Sequence, residues 1–351
     1  MAVVAPKNQI MEGVWAKARQ GQKRIVLPET DDVRTLVAAE IIDKADLGKV
    51  ILLGDKDELN QKAKEAGANI DNLEIIDPLK ADKLDEYTEK FFELRKGKVA
   101  SLDDAKKALE NFLYFGTMMV KLDDADGMVA GASNTTADVL RPAFQIVKTA
   151  PGISLVSAYF AMIVPDCQYP DLAPDEEKGF FLYADSGGNP DPTAEELADI
   201  AITTCETIEN IFNAKKAYAA MLSYSTKGSA KHPRIDKVIE ATRIANEKRP
   251  DLAIDGELQG DSALVERVGK KKAPGSAVAG RANCLIFPDL DSGNINYKLT
   301  QYLGKAEAYG PLLQGLDKPI NDLSRGASVE DIVNVAAIVA VKAMVPYGKR
   351  D

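Results

Sequence analysis

Histidine is nearly absent from this sequence: His232 is the single one among 351 residues. A Ser–His–Asp triad with a histidine to spare, a histidine-clustered zinc site and facial-triad iron all need more imidazole than that. His232 itself lies in Lys231-His232-Pro233, a turn between two segments, and reads as a solvated surface side chain. Cysteine is almost as scarce. Cys167, Cys205 and Cys284 are odd in number and far apart, without metal-type or redox-type spacing. That fits a reducing compartment and no disulfide framework. A membrane-spanning run is missing too, because the most apolar stretch, Gly152 to Val164, has about half of the roughly 20 residues required. Lys7 is followed by no apolar segment of the signal-peptide kind. These absences predict a cytoplasmic protein with no membrane partner.

Net positive charge is also lacking. Lys plus Arg number 44 against 54 Asp plus Glu, a formal charge of −10 at pH 7. A general nucleic-acid binder needs a broad basic field, so nucleic acid is not an expected partner, although local basic pockets stay open. What is present is an ordinary globular composition, 45% hydrophobic and 28% charged. Single cores stop growing near this chain length, which predicts two domains.

The first half alternates short β-rich runs with amphipathic stretches. Arg24 to Pro28, Lys49 to Leu53, Leu73 to Ile76 and Gly127 to Ala132 read as strands. Asp31 to Lys44 carries Val33, Leu36, Val37, Ile41 and Ile42 at a helical period. Glu58 to Ala66 and the charged stretch from Asp82 to Leu122 read as helices, and so does Thr136 to Thr149. Pro151-Gly152 punctuates the chain and marks a domain boundary. Beyond it, strands are expected at Leu155 to Val164, Phe180 to Ala184, Ala217 to Leu222, Leu252 to Ile254 and Cys284 to Phe287. Thr193 to Phe212 and Pro233 to Lys248 are expected helices between them, and an apolar helix from Val329 to Met344 closes the chain. The βαβ rhythm predicts two α/β domains with mainly parallel sheets flanked by helices. Residues 1–150 plus 313–351 form the first, to which the last helix returns, and 151–312 form the second.

Four loops are candidates for binding an anion, each after a strand, where open α/β sheets place their sites. The first is Pro28-Glu29-Thr30-Asp31-Asp32 with Arg34. The second is Gly131 to Thr136, where small residues, Asn134, Thr135 and Thr136 lead into a helix that carries Arg141. Helix capping and anion binding use the same groups there, so both remain open. The third is Ser223 to Ser229, a run of hydroxyl-bearing positions around Lys227, either a polar loop or a cradle for a phosphate or nucleotide tail. The fourth runs from Pro319, which opens a turn, to Asp331. Ser328 and Asp331 form a capping box that requires no catalysis, but nothing in that box calls for Ser324 and Arg325 beside it. A guanidinium next to a hydroxyl, facing a helix start with a carboxylate, suits an anionic substrate. Two Asp-Ser-Gly tripeptides, at Asp185 and Asp291, read as turns at strand ends.

Several of these segments together resemble one family. Asn321 to Gly326, Ser223 to Ala230, Ala273-Pro274-Gly275-Ser276, Phe287-Pro288-Asp289-Leu290, Pro28-Glu29-Thr30 with Arg34, Glu93-Leu94-Arg95-Lys96 and Leu140-Arg141-Pro142 resemble phosphate acetyltransferase, in order over nearly the whole chain. The resemblance implies the reaction acetyl-CoA + phosphate = CoA + acetyl phosphate in an interdomain cleft, a homodimer, and a place in acetate metabolism. It implies no tightly bound cofactor, with CoA and acetyl-CoA as substrates beside phosphate and acetyl phosphate. It implies Asp331 as the base that takes the thiol proton, Ser324 as hydrogen-bond partner of the thiol, and Arg325 as the group that binds phosphate and the developing oxyanion. Arg34, Arg95 and Arg141 match the family's substrate-binding arginines, and Asn134 stands where many relatives carry histidine.

The chemistry has one energetic demand. A carboxylate of reference pKa about 4 facing a thiol of about 8.5 leaves proton transfer uphill by roughly 6 kcal/mol. The thiolate must therefore be stabilised elsewhere, or lose its proton in concert with C–S bond formation. No acyl-enzyme is needed, and a ternary complex is the simpler route. The alternatives are a phosphate butyryltransferase, a non-catalytic acetyl-CoA sensor and an NAD-dependent hydroxy-acid dehydrogenase. The last lacks a Gly-x-Gly-x-x-Gly after a strand.

Overall fold

Short apolar runs ended by proline, glycine or aspartate become strands throughout the computed structural model, which describes residues 5–170 and 178–345. The first helix, α1 (Gln9–Gly21), is started by Asn8, whose side chain accepts the N–H of Met11, and it buries Ile10, Met11, Val14, Trp15 and Ala18. Then follow β1 (Arg24–Leu27), α2 (Val33–Lys44), β2 (Lys49–Leu53), α3 (Lys56–Glu65) and β3 (Glu74–Ile76). The charged stretch divides into α4 (Leu84–Leu94), α5 (Leu102–Ala108) and α6 (Phe112–Lys121), with Ser101 and Asn111 as caps. After β4 (Gly127–Ala130) comes α7 (Thr136–Pro142).

The single helix expected from Thr136 to Thr149 is corrected here. It changes at Pro142 into a π-helical turn over Ala143–Val147, with Lys148 N–H donating to Ala143 O. Proline has no N–H to continue the α ladder, so the regular helix cannot run on unchanged.

The middle of the chain contributes β5 (Ser157–Ile163), β6 (Phe180–Ala184), α8 (Ala194–Asn210), β7 (Tyr218–Leu222), α9 (Pro233–Lys248) and β8 (Ala253–Leu258). It continues through α10 (Gly260–Leu264), α11 (Glu266–Lys272), β9 (Cys284–Ile286), α12 (Leu290–Leu303) and β10 (Glu307–Gln314). The chain closes with β11 (Ile320–Asp322) and α13 (Val329–Lys342). Two further corrections follow. Ile320–Asp322 is a strand beyond Pro319, not a turn, because it pairs with β4. Asp291-Ser292-Gly293 lies in the first turn of α12, which Asp289 caps by accepting Ser292 N–H, and so does not end a strand.

The chain divides into two compact units, Met1–Pro151 with Leu316–Asp351, and Gly152–Gly315. The first holds a five-stranded, wholly parallel sheet in the order β11-β4-β1-β2-β3. Helix α13 packs against α1, α2 and β4 in this unit, and Trp15 Nε1 donates to the buried Asn334 Oδ1 at 2.9 Å. Its apolar residues from Ile332 to Val341 are buried, so it forms part of the core. The second unit holds a six-stranded sheet in the order β10-β5-β6-β9-β7-β8. Its strands from β6 to β8 are parallel, while β5 pairs antiparallel with β6 and β10. No helix among the described residues is long and apolar enough to cross a membrane.

Candidate active site

Three neighbouring parallel strands of the first unit, β1, β4 and β11, send their next loops out of the same sheet edge. These are the loops of residues 28–32, 131–135 and 323–328. Carboxyl ends of adjacent parallel strands are where open α/β sheets gather functional groups.

Arg34 ties the three loops together. Its Nε and Nη2 hold the Asp32 carboxylate, with Nη2 at 2.5 Å from Oδ2. Its Nη1 donates to Arg325 O at 3.1 Å and Ala327 O at 2.6 Å, and Nη2 donates to Ala132 O at 2.8 Å. The Asp32 ion pair holds that carboxyl below its ordinary range. A side chain so engaged is a clamp on the loops.

The Gly131 to Thr136 loop does bind an anion, but the anion is internal. Glu29, 3% exposed, accepts Gly131 N–H and Ala132 N–H through Oε2, each at 2.7 Å. Its Oε1 accepts both the backbone N–H and the side-chain amide of Asn134, each at 2.9 Å. Asn134 thus faces Glu29. Thr135 caps α7, donating its hydroxyl to the Asp138 carboxylate and accepting Asp138 N–H, and Thr136 hydrogen-bonds to another carboxylate, Asp322. A cavity of about 290 Å³ adjoins Glu29 and Asn134, but Asp31, Asp55 and Glu58 line it with Lys62 as the one cation. Carboxylates of that number repel phosphate.

The free cations stand elsewhere on the same unit. Arg325 and Ser324 are exposed in the loop after β11, and Arg141 is exposed on α7. Among the described residues, neither guanidinium makes an ion pair or donates a side-chain hydrogen bond. Arg95 ends α4 with its Nε buried and, among the described residues, without a hydrogen-bond partner. Arg95 and Arg141 both act on the phenol of Tyr114, which burial pushes up in pKa and which their positive charges draw down, so both lie on one side of α6. Asp331 forms the capping box: its Oδ2 accepts Ser328 N–H and Ser328 Oγ–H, each at 2.8 Å. Its Oδ1 receives no hydrogen bond among the described residues, so the cap leaves one oxygen available for a proton.

In the second unit, the Ser223 to Ser229 loop is satisfied from within. Lys227 Nζ donates to Asp255 Oδ1 at 2.5 Å and to Gly256 O at 2.7 Å. Ser223 Oγ accepts Ser225 N–H, and the buried Glu257 accepts Ser225 Oγ–H and Gly228 N–H. Lys227 is therefore an ion-paired residue, correcting the picture of a lone cation among hydroxyls. Ser276 also bonds to Asp255, and Asp289 caps α12, so these two motif segments shape the unit.

Burial pushes the Cys284 thiol well up, with Cys205 beside it, and both side chains are buried, which unfits either as a nucleophile. No group of three or more His, Cys, Asp and Glu among the described residues has the arrangement of a metal site. Glu29 and Asp322 show what they do only in the fold. Their partners lie about a hundred residues or more away, and local spacing carries no sign of them.

The family model of phosphate acetyl/butaryl transferase matches residues 9–340. A phosphate acetyltransferase of Thermoanaerobacterium thermosaccharolyticum is 53% identical over 334 residues, covering 95% of this chain and 99% of its own. One of Acetivibrio thermocellus is 51% identical over 333 residues, covering 95% and 98%. The solved phosphotransacetylase of Streptococcus pyogenes superposes with a TM-score of 0.89 at 46% identity, covering 97% of this chain and 99% of its own.

Proposed function

The chain belongs to the phosphate acetyl/butaryl transferase family, and from that premise we propose how its residues carry out the reaction. It is an acyltransferase that moves an acetyl group reversibly between CoA and inorganic phosphate. The observation that carries the site assignment is the pairing of an unengaged Arg325 with Ser324 on a loop pinned from behind by Arg34.

In the direction of acetyl-CoA synthesis, CoA and acetyl phosphate bind together. Asp331 Oδ1 takes the thiol proton as sulfur attacks the acetyl carbon, and Ser324 donates a hydrogen bond to the sulfur. The C–S bond forms, the carbonyl π electrons move to oxygen, and their return expels phosphate. Arg325 balances the negative charge on that oxygen and on the phosphate, where a guanidinium's rigid fork is well matched. Concerted proton loss avoids a free thiolate, so the acidity gap between carboxylate and thiol is never crossed by proton transfer alone. Holding both substrates in one complex supplies the rest through proximity. Arg95 and Arg141 bind the remaining negative charge of the substrates. The reaction asks for no tightly bound cofactor.

We place the enzyme in the cytoplasm, where free thiols such as Cys167, Cys205 and Cys284 persist. We also propose a homodimer. Helix α12 exposes Ile295, Leu299, Tyr302 and Leu303 along one face, the last two 78% and 79% exposed. Those positions form one helical stripe, which a second copy of the chain can cover. Leu303→Glu should shift the protein to monomer in light scattering after gel filtration; an unchanged mass removes this face from the interface.

The reaction is tested by mixing the protein with acetyl-CoA and following CoA thiol release with and without phosphate. Butyryl-CoA in parallel reads acyl-length preference. Phosphate-dependent release that favours acetyl is expected. No release from a folded protein that binds CoA would point to a sensor.

A further inference from the structure

Two buried carboxyl groups meet at Gly131. On one side Glu29 is held by four N–H donors. On the other, Asp322 ends β11 at 1% exposure, and its Oδ1 has no hydrogen-bond partner among the described residues. A Cβ on Gly131, whose φ is +111°, would stand 2.4 Å from that Oδ1 and 2.4 Å from Leu323 N. The missing side chain is what admits the carboxyl group.

The two acids differ in how they are held. Glu29 faces a nest of four N–H donors. Asp322 has no such nest, and burial pushes its carboxyl up to about 6, with Thr136 opposing through a hydrogen bond and Glu29's charge adding to the rise. Charged groups stand on each element around it: Glu29 after β1, Asp32 and Arg34 at α2, Asp138 and Arg141 on α7, Glu330 and Asp331 on α13, and Arg325 on its own loop. Of these, Glu29 is the one whose charge acts on it appreciably. Ser324 follows two residues later, at most about 7 Å away along an extended chain. Arg34 further ties the Arg325 and Ala327 carbonyls to that of Ala132, next to Gly131.

An orphaned, buried carboxylate oxygen is costly unless it gains a proton or a donor. A phosphate anion arriving at Ser324 and Arg325 adds negative charge nearby, which favours the neutral acid. We propose that Asp322 is a positioning residue of this site, taking up one proton from solvent as phosphate binds beside Ser324 and Arg325. Asp322 is then neutral in the loaded enzyme. The proposal rests on phosphate being a substrate. Its consequence is directional: a proton taken up on binding makes phosphate affinity fall as pH rises above the free enzyme's ionisation.

The test compares wild type with Asp322→Asn, a neutral side chain of nearly the same shape, across about pH 5.5 to 7.5. The titration of phosphate itself cancels in the ratio of the two KM values. That ratio, wild type over variant, is expected to rise about fivefold or more across the range while the kcat ratio stays level. A ratio independent of pH overturns the proposal. Should the variant not fold, infrared difference spectra of wild type at about pH 6.5 decide it. Added phosphate should bring up the carbonyl band of a protonated carboxylic acid, and absence of that band overturns the proposal. Loss of phosphate-dependent thiol release in wild type would instead reject the reaction, so the two failures are distinguishable.

Discussion

Asn134 gives both of its nitrogens to a single oxygen of Glu29, at 2.9 Å each. The loop that leaves β4 is therefore moulded around an internal carboxylate. Glu257 performs the same service in the second unit, accepting Ser225 Oγ–H and Gly228 N–H. In both places backbone amides that look available in the sequence are filled by the protein's own acid.

Glu29→Gln follows from this arrangement. The carboxamide puts a donor where the nest already presents N–H groups, leaving at least one buried donor unsatisfied. Stability should fall by about 2 kcal/mol in urea denaturation. A loss too small to resolve would mean that the nest is not built around charge.

Arg34→Lys keeps the charge but reaches fewer acceptors than a guanidinium does. The Arg325, Ala327 and Ala132 carbonyls lose their common clamp. Turnover should drop by about tenfold or more through misplacement of Ser324 and Arg325, with a folded protein by circular dichroism. Wild-type kcat in the lysine variant would show that the clamp does not set the site.

Asp331→Asn separates base from cap. Asparagine still caps through an oxygen, so stability should hold, while kcat falls by roughly 10²–10⁴. Asp331→Ala should lose the turnover and also about 1 kcal/mol of stability. Near-normal turnover in the asparagine variant would reduce Asp331 to its structural role.

Lys342 predicts a pH effect on folding. Burial pushes its ammonium down from 10.5 to about 7. Between those values the unfolded chain binds more protons than the native one, so stability from this group rises with pH from about 7 to about 10.5. Lys342→Met should stabilise the protein more near pH 6.5 than near pH 9.5 in denaturant titrations. An equal gain at both pH values would contradict the burial cost.

The strands and longer helices were legible where local chemistry decides them. Phe180–Ala184 is an unbroken apolar run, and Pro233–Lys248 opens with proline at a helix start. Strand β11 was not legible, because three residues carry no period and only pairing with β4 makes them a strand. Strand β10 contains Gly310-Pro311 and breaks its register there, so its sequence reads as loop. Helix α1 carries its signal in the sequence, with Asn8 before Ile10, Met11, Val14 and Trp15.

The candidate site divides in the same way. Ser324, Arg325 and the Ser328–Asp331 cap lie close in sequence and declare themselves together. The engagement of Asn134 and Lys227 was hidden, since Glu29 and Asp255 meet them only after folding, and so was the hold of Arg34 on the Ala132, Arg325 and Ala327 carbonyls. Charge and hydroxyl content along a loop do not say whether the loop is already satisfied.

The central claim is that Arg325 stabilises charge developing in acetyl transfer. The direct measurement is steady-state thiol release from acetyl-CoA and phosphate by wild type and Arg325→Ala. The account predicts that kcat falls by about 10²–10³, the loss of about 2.7–4 kcal/mol typical of an oxyanion donor. A variant turning over within about threefold of wild type would contradict it.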